Sequence, residues 1–323
     1  VSSWGMHWLE PLVEIDGEGF GPVTPGDVSG ILNGDKALSI GKIDEHPFIA
    51  RQTRLTFARA GKTRPLSLKD YEATGGWRGL QKARELAPET ILEQVTASGL
   101  RGRGGAGFPA GIKWKTVAGA PAARKYIVCN ADEGDSGTFA DRMIMEGDPF
   151  TLIEGMAIAG LGVGATKGYV YLRSEYPDAI AVMTRAVEIA RAEGILGENI
   201  LGSPHKFDME IRKGAGAYVC GEETSLLNSQ EGKRGIVRAK PPLPALEGFL
   251  GKPTVVNNVL SLATVSWIMA NGAEAYAAYG LGRSRGTMPL QIAGNVRHGG
   301  LYEIAFGLTL GEIVEHIAGG TAS

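Results

Sequence analysis

Gly99 to Trp114 reads GLRGRGGAGFPAGIKW, and the placing of this stretch decides the fold. Six glycines fall within thirteen residues, and the stretch ends on Phe108, Pro109 and the cation Lys113. Glycine carries no Cβ and adopts positive φ without penalty, so such a loop lets main-chain amides touch a planar ring or a phosphate. Gly102-x-Gly104-x-x-Gly107 has the letters of a dinucleotide fingerprint, which belongs after a strand and opens a helix. Here a helix precedes it: Pro88 starts it, Ile91, Leu92 and Val95 share one face, and Gly99 stops it. The loop is therefore not an ordinary Rossmann turn, and a large flat ligand is its expected occupant. Asn130–Arg142 (NADEGDSGTFADR) and Gly214–Thr224 (GAGAYVCGEET) have the same character, the second with Lys233, Arg234, Arg238 and Lys240 behind it. Together the three segments outline one site.

Outward from the loop the pattern alternates. Tyr126–Cys129 reads as a buried strand, Leu152, Met156, Ala159 and Val163 mark a helix, and Tyr169–Leu172 is a second strand. A helix over about 178–194 and a strand alternating Phe207, Met209 and Ile211 continue the rhythm toward Ala217–Cys220, where Cys220 reads as the end of a further strand. After Pro253, Asn257 or Asn258 can cap a helix through Val259, Leu262, Ser266 and Met269 that ends at Gly272. The class expected is α/β, with a Rossmann-like, mainly parallel sheet covered by helices. The ligand-binding domain is placed at 88–285. Residues 286–323, a hairpin followed by the Thr309-x-x-Glu312 capping box, read as the first half of a ubiquitin-like β-grasp domain. Residues 1–39, with a strand-like Trp8–Ile15 and a helix opened by Thr24-Pro-Gly-Asp27, read as a small α/β remnant. Residues 40–87, irregular and broken by Pro47 and Pro65, read as a connecting arm.

Composition narrows the partners. Thirty-three Lys and Arg against 35 Asp and Glu give a net charge of −2, and no basic run supplies a field for nucleic acid. The longest uncharged apolar stretch, Gly155–Thr166, falls short of the roughly 20 residues of a membrane span, so no direct membrane insertion is expected. Cys129 and Cys220 are the only cysteines. They cannot build a disulfide framework or ligate a four-cysteine cluster, and a cytoplasmic setting fits. A start at Val1 and a stop at Thr321-Ala-Ser323 read as part of a longer polypeptide.

A flavin nucleotide offers a tricycle, an amide-like edge, a polyhydroxyl chain and a phosphate, and each has a candidate partner. Amides of Gly102, Gly104, Gly105 and Gly107 could pack on the ring or chain, Lys113 could meet the anion, and Asn130 and Asp132 could bind polar edges. The plainer alternatives are a tight turn and a solvated lysine. Glu222 and Glu223 are adjacent, so their side chains point apart: one can face a ligand while the other serves structure. The basic group at 233–240 suits a pyrophosphate or a solvated face equally. Gly134-Asp-Ser-Gly137 has the letters of a trypsin-like nucleophile segment, but none of the five histidines shows the signature of a base for Ser136 and the α/β rhythm is wrong. Gly61-Lys-Thr63 resembles the end of a P-loop, yet Thr56 stands where its first glycine belongs.

At these residues the chain resembles the family of flavin-bearing, NADH-oxidising (51 kDa-type) subunits shared by respiratory complex I, bidirectional NAD-linked hydrogenases and NAD-dependent molybdenum formate dehydrogenases. The motifs are GRGGAGFPAGIKWK, CNADEGDSGTFADR, GAGAYVCGEET, EGKRG, KPPLPA and KPTVVNN. GDSGTF, KPPLPA, WLEPLVEI and LQIAGNV bring it nearest to the formate dehydrogenase β (diaphorase) subunit. The resemblance implies FMN held by Gly102, Gly104, Gly105, Gly107 and Lys113, by Asn130, Asp132 and Glu133, by Tyr218, Gly221, Glu222 and Glu223, and by Val256, Asn257 and Asn258. It implies NAD(H) beside the flavin, with Phe108 and Lys240 assisting and Asp135 and Glu223 positioning the dinucleotide.

Respiratory members often carry Glu-Pro at Asp135-Ser136, aromatics at Thr116 and Leu243, and Glu-Thr at Leu260-Ser261. The family further implies a preceding thioredoxin-like domain, of which 1–39 would be the end, and a following 4Fe-4S domain whose ligands this chain lacks. Expected partners are iron-sulfur subunits, notably a 2Fe-2S thioredoxin-like γ subunit and a catalytic molybdenum α subunit. The expected activity is exchange of hydride between NAD(H) and FMN and of single electrons with iron-sulfur clusters. The alternatives are the equivalent subunit of a quinone oxidoreductase or hydrogenase, or a flavin-containing scaffold that binds no NAD.

Overall fold

A computed structural model describes residues 2–323. The chain forms two compact units, one of Leu55–Gly286 with Ser2 and one of Ser3–Arg54 with Thr287–Ser323. Residues 40–87 are thus divided between them.

The larger unit is built on four parallel strands: β1 (Tyr126–Ala131), β2 (Lys167–Leu172), β3 (Asp208–Lys213) and β4 (Thr254–Asn258), in the order β3-β2-β1-β4. Its main helices are α1 (Pro88–Ala97), α2 (Ala110–Gly119), α3 (Ala140–Gly147), α4 (Pro149–Val163), α5 (Pro177–Ala192), α6 (Glu223–Gln230) and α7 (Val259–Asn271). Ile127, Val128 and Cys129 are buried in succession, as expected of a parallel strand covered on both faces. The sheet grows to one side of β1 through β2 and β3 and to the other through β4. The carboxyl end of β1 beside β4 is therefore a topological switch point, where open α/β sheets bind ligands.

One expected strand does not form. Ala217–Cys220 leaves the sheet, and Tyr218–Gly221 is a turn of 3₁₀ helix. Of this run only Cys220 is buried, while Tyr218 and Val219 are exposed. An apolar letter pattern without a face to bury has nothing to hold it in a ladder.

α4 and α7 are buried along almost their whole lengths, which matches helices apolar all round. They cross where α4 has no side chain: a Cβ on Gly155 would stand 1.9 Å from the Leu262 carbonyl oxygen. On another side of α7, a Cβ on Gly79 would lie 2.5 Å from the Ser266 carbonyl oxygen. Residues 55–87 are fastened to α4 by a buried polar cluster. Arg59 donates to Asp148 at 2.7 Å and to Thr151 at 2.8 Å and covers the Tyr71 ring at 4.5 Å. Glu154 accepts from the Tyr71 hydroxyl and from the amides of Trp77 and Leu80, both at 2.9 Å.

The smaller unit pairs Val13–Ile15, Glu18–Phe20 and Ser39–Lys42 antiparallel, and Thr287–Ile292 with Gly300–Ala305 as a hairpin. Trp4, Met6, Ile43, Phe48, Tyr302, Ile304 and Ile317 form one core, so residues near both chain ends share it. Trp8–Ile15 holds a 3₁₀ turn, His7–Leu9, before its strand. The capping box at Thr309 and Glu312 is formed. Among the described residues no helix is long and apolar enough to cross a membrane.

Gly155→Ala drives a methyl into main chain that cannot move aside, so it should lower stability by about 1–3 kcal/mol or more, the range of overpacked cores. A urea midpoint unchanged from the parent would show that the α4–α7 crossing has slack.

Candidate functional site

The glycine loop is closed at its neck. Gly102 donates to the Phe108 carbonyl at 2.8 Å and Ala110 to that of Leu100 at 2.9 Å. Arg103 fastens one side: its amide donates to Ser261 Oγ at 2.8 Å, and its guanidinium to the carbonyls of Arg101 and Arg285 and the Tyr276 hydroxyl. Gly105 and Gly107 take φ of +104° and +60°, and a Cβ on Gly104 would press on that of Asn258 at 3.1 Å. Among the described residues no hydrogen bond within the chain uses the amides of Gly104, Gly105, Ala106 or Gly107. Four successive unspent donors make an anion- or carbonyl-binding rim.

The loop borders a cleft of about 550 Å³ at the carboxyl ends of β1 and β4, within the roughly 300–1,000 Å³ of small-ligand sites. Gly102, Gly104, Gly107, Phe108 and Lys113 line it from the loop and α2; Asn130, Val256, Asn257 and Asn258 from the strands; and Gly221, Glu222, Glu223 and Lys240 from the opposite wall. Thr116 and Leu243 also face it.

Two lysines and two glutamates alternate in one bonded row that starts from α2. Lys113 donates to the Val256 carbonyl at 2.8 Å and to Glu223 at 3.3 Å; Lys240 donates to Glu223 at 2.8 Å and to Glu222 at 2.9 Å. Glu222 also caps α6, accepting from the amides of Thr224 and Ser225. Burial opposes its charge, but the Thr224 hydroxyl, the Lys240 ammonium and the two amides outweigh it and hold its carboxyl down to about 2. Lys240 is raised despite burial because both carboxylates face it.

The asparagines are each locked. Trp114 Nε1 donates to Asn257 at 2.8 Å, Asn130 donates to the Gly221 carbonyl at 2.8 Å, and Asn258 accepts from the Leu260 amide at 2.8 Å while donating to Asp141 at 2.7 Å. Five residues singled out from sequence, Gly105, Asp132, Glu133, Asp135 and Tyr218, do not line the cleft. Glu133 accepts from the amides of Asp141 and Arg142 and from the Tyr176 hydroxyl, so it serves the start of α3. Tyr218, mostly exposed, donates to Asp135 at 2.7 Å. The Asp132 amide donates to Asn130, and burial, only partly offset by Arg173, pushes the Asp132 carboxyl up to about 6. Gly105 belongs to the rim without lining the cleft. Arg103 and Trp114, which hold the loop and Asn257, carried no signal separable from an ordinary surface arginine and core tryptophan.

The cleft meets the demands of a flavin nucleotide on its own chemistry: unspent amides, an asparagine set, a lysine with an N–H to spare, and a glycine wall where side chains would intrude. Comparison with known proteins agrees. The profile of the Nuo51 FMN-binding domain matches residues 95–267. The NADP-reducing hydrogenase subunit HndC of Solidesulfovibrio fructosivorans is 48% identical over 270 residues, 84% of this chain and 55% of that protein. An NADH-quinone oxidoreductase subunit of Rhizobium meliloti (strain 1021) is 51% identical over 254 residues, 78% of this chain and 60% of that protein. A crystal structure of an NAD+-reducing NiFe hydrogenase in the air-oxidized state superposes with a TM-score of 0.68 at 34% identity, covering 98% of this chain and 53% of that one. The chain spans little more than half the length of these relatives.

Glu222→Ala should cost about 0.5–2 kcal/mol, the worth of an N-cap side chain. Because the folded carboxyl titrates below the unfolded one, this contribution is complete above about pH 4.5 and fades as pH falls toward 2. Urea midpoints of parent and variant that differ equally at pH 7 and pH 3 would refute the assignment.

Proposed function

The chain belongs to the Nuo51 FMN-binding domain family, and from that premise we propose that it is the diaphorase module of a multisubunit oxidoreductase, binding FMN and NAD(H) in the cleft described above. The observation that carries this is the meeting of four unspent loop amides, Lys113 and three locked asparagines at the sheet's switch point. Bound FMN would supply chemistry that no side chain here supplies: it takes hydride from a reduced nicotinamide and passes electrons on singly.

The protein's share is binding, orientation and exclusion of water. Gly102, Gly104, Gly105 and Gly107 admit the ring and polyhydroxyl chain at main-chain distance. Lys113 is the cation for the phosphate. Asn130, Asn257 and Asn258, with Val256, address the polar edge, and Gly221 with Glu222 forms the facing wall. Phe108, about half exposed at the rim, is placed for an adenine, with Glu223 and Lys240 beside it for the rest of the dinucleotide. Asp135, through its bond to Tyr218, acts at the outer edge; Asp132 and Glu133 support from behind Asn130 and α3.

For the parent assembly we retain the NAD-dependent formate dehydrogenase, on GDSGTF, KPPLPA and the flanking text, with a 2Fe-2S γ subunit, a molybdenum α subunit and a 4Fe-4S domain in the full-length protein. The names of the relatives support the hydrogen-linked or quinone-linked equivalent. Identity of the co-purifying catalytic subunit decides between them. The domain readings of 1–39 as the end of a thioredoxin-like fold and 286–323 as half a β-grasp stand as part of the same proposal, as does a cytoplasmic location. A scaffold role without dinucleotide draws support from Thr116 and Leu243, which put a hydroxyl and an aliphatic side chain where stacking rings would serve.

The intact complex should be yellow and should reduce ferricyanide with NADH. A yellow but NADH-inert complex favours the scaffold, and a colourless one removes both. Lys113→Ala should weaken FMN about 10- to 200-fold, the worth of one charge-assisted bond. Leu243→Phe should tighten NADH by about 2- to 12-fold, one stacking contact; no change in the NADH dissociation constant would show that an adenine does not reach this wall.

A further inference from the structure

Asp141 has no part in the function proposed above, yet its surroundings are unusual. It opens the first turn of α3, is 4% exposed, and has no cation paired with it among the described residues. Its bonded side-chain partner is Asn258 Nδ2, at 2.7 Å. The Asn258 Oδ1 must accept the Leu260 amide at 2.8 Å, because that amide can only donate, so the orientation of the Asn258 side chain is fixed by chemistry. With one N–H spent on Asp141, a single N–H remains for the cleft that Asn258 lines, beside an oxygen that already accepts from Leu260.

The groups facing Asp141 decide its charge. Glu133 lies beside it with its own carboxylate held by the Asp141 and Arg142 amides and the Tyr176 hydroxyl, and Cys129 and Tyr176 are the other titratable neighbours. None brings a positive charge into contact. Burial and the adjacent Glu133 both favour the protonated form, raising the carboxyl well above its ordinary range against the one bond from Asn258.

We propose that Asp141 is a positioning residue: an uncharged carboxyl behind the cleft that turns Asn258 to present one N–H, and that keeps negative charge away from the electron-accepting edge placed there. This rests on the flavin assignment above. A negative charge at this depth would disfavour an acceptor that gains electrons, and it is avoided by holding a proton rather than by recruiting a cation.

Asp141→Asn copies the neutral acid in shape and keeps an acceptor for Asn258, whereas Asp141→Ala removes the acceptor. In the apoprotein, the urea midpoint of the parent should fall progressively below that of D141N as pH rises from 4 to 8, since only the parent carries a carboxyl that resists ionising in the fold. Parallel midpoints overturn the proposal without reference to any flavin. In the FMN-loaded complex at pH 7, D141N should keep the parent's flavin midpoint potential and its FMN dissociation constant within about twofold, while D141A loses about 2- to 13-fold in affinity, one hydrogen bond. A D141N potential above the parent's means the carboxyl is ionised, and equal affinities of D141A and D141N mean that it does not orient Asn258. Either result sinks the idea. A complex that holds no flavin fails the function proposed above and leaves the urea comparison to judge Asp141. Should D141A not fold, the two D141N comparisons still decide.

Discussion

The pairing of β1 with β4 is the contact on which the site depends. In parallel register Cys129 stands opposite Asn257 and Asn130 opposite Asn258, so residues more than 120 positions apart deliver adjacent amide side chains to one sheet edge. Nothing local could do this. The pairing is held by burial on both faces: α4 and α7 come within backbone contact at Gly155, and α7 begins at the residue that follows β4. Any shift of α7 therefore moves Asn258, and with it the wall against which Gly104 rests.

Around that edge, charge is handled in two ways. In the cleft Lys113, Glu223, Lys240 and Glu222 alternate, so the row nearly cancels and each member is held by its opposites. Such a row can take an anion by letting one lysine change partners, at little cost in a half-exposed place where ion pairs are weak. In the buried interior no such freedom exists. Asp148 is buried and answered by Arg59, Glu154 by a hydroxyl and two amides, and Asp141 by an asparagine alone. Buried carboxyls need partners of this kind because desolvation penalises the charged form.

Much of this was legible in the residues. The helix before the glycine loop, strands near 126–129, 169–172 and 207–211, and a capping asparagine at 257 or 258 follow from periodicity and cap chemistry, because those signals are local. Ala217–Cys220 misled because its apolar letters, Cys220 excepted, describe exposed residues, and burial is decided by neighbours far away in sequence. The place of Glu133 is equally non-local: its carboxylate accepts from the amides at the start of α3 and from the Tyr176 hydroxyl. The staples Arg103 and Trp114 were invisible, since their partners Ser261, Tyr276, Arg285 and Asn257 lie at least 140 residues on.

The glycine loop carries a consequence of its own. A loop with five glycines between Gly99 and Gly107 should be costly to order, since glycine loses more conformational freedom on folding than any other residue. Here the cost is met before any ligand arrives. The two bonds at the neck close the loop, and Arg103 ties it to α7, to Tyr276 and to Arg285 without using one of the four amides between Gly104 and Gly107. The staple thus leaves all four donors unspent. Because ordering is settled by contacts that a ligand neither makes nor breaks, binding energy from the amides can appear as affinity instead of being consumed in closing the loop.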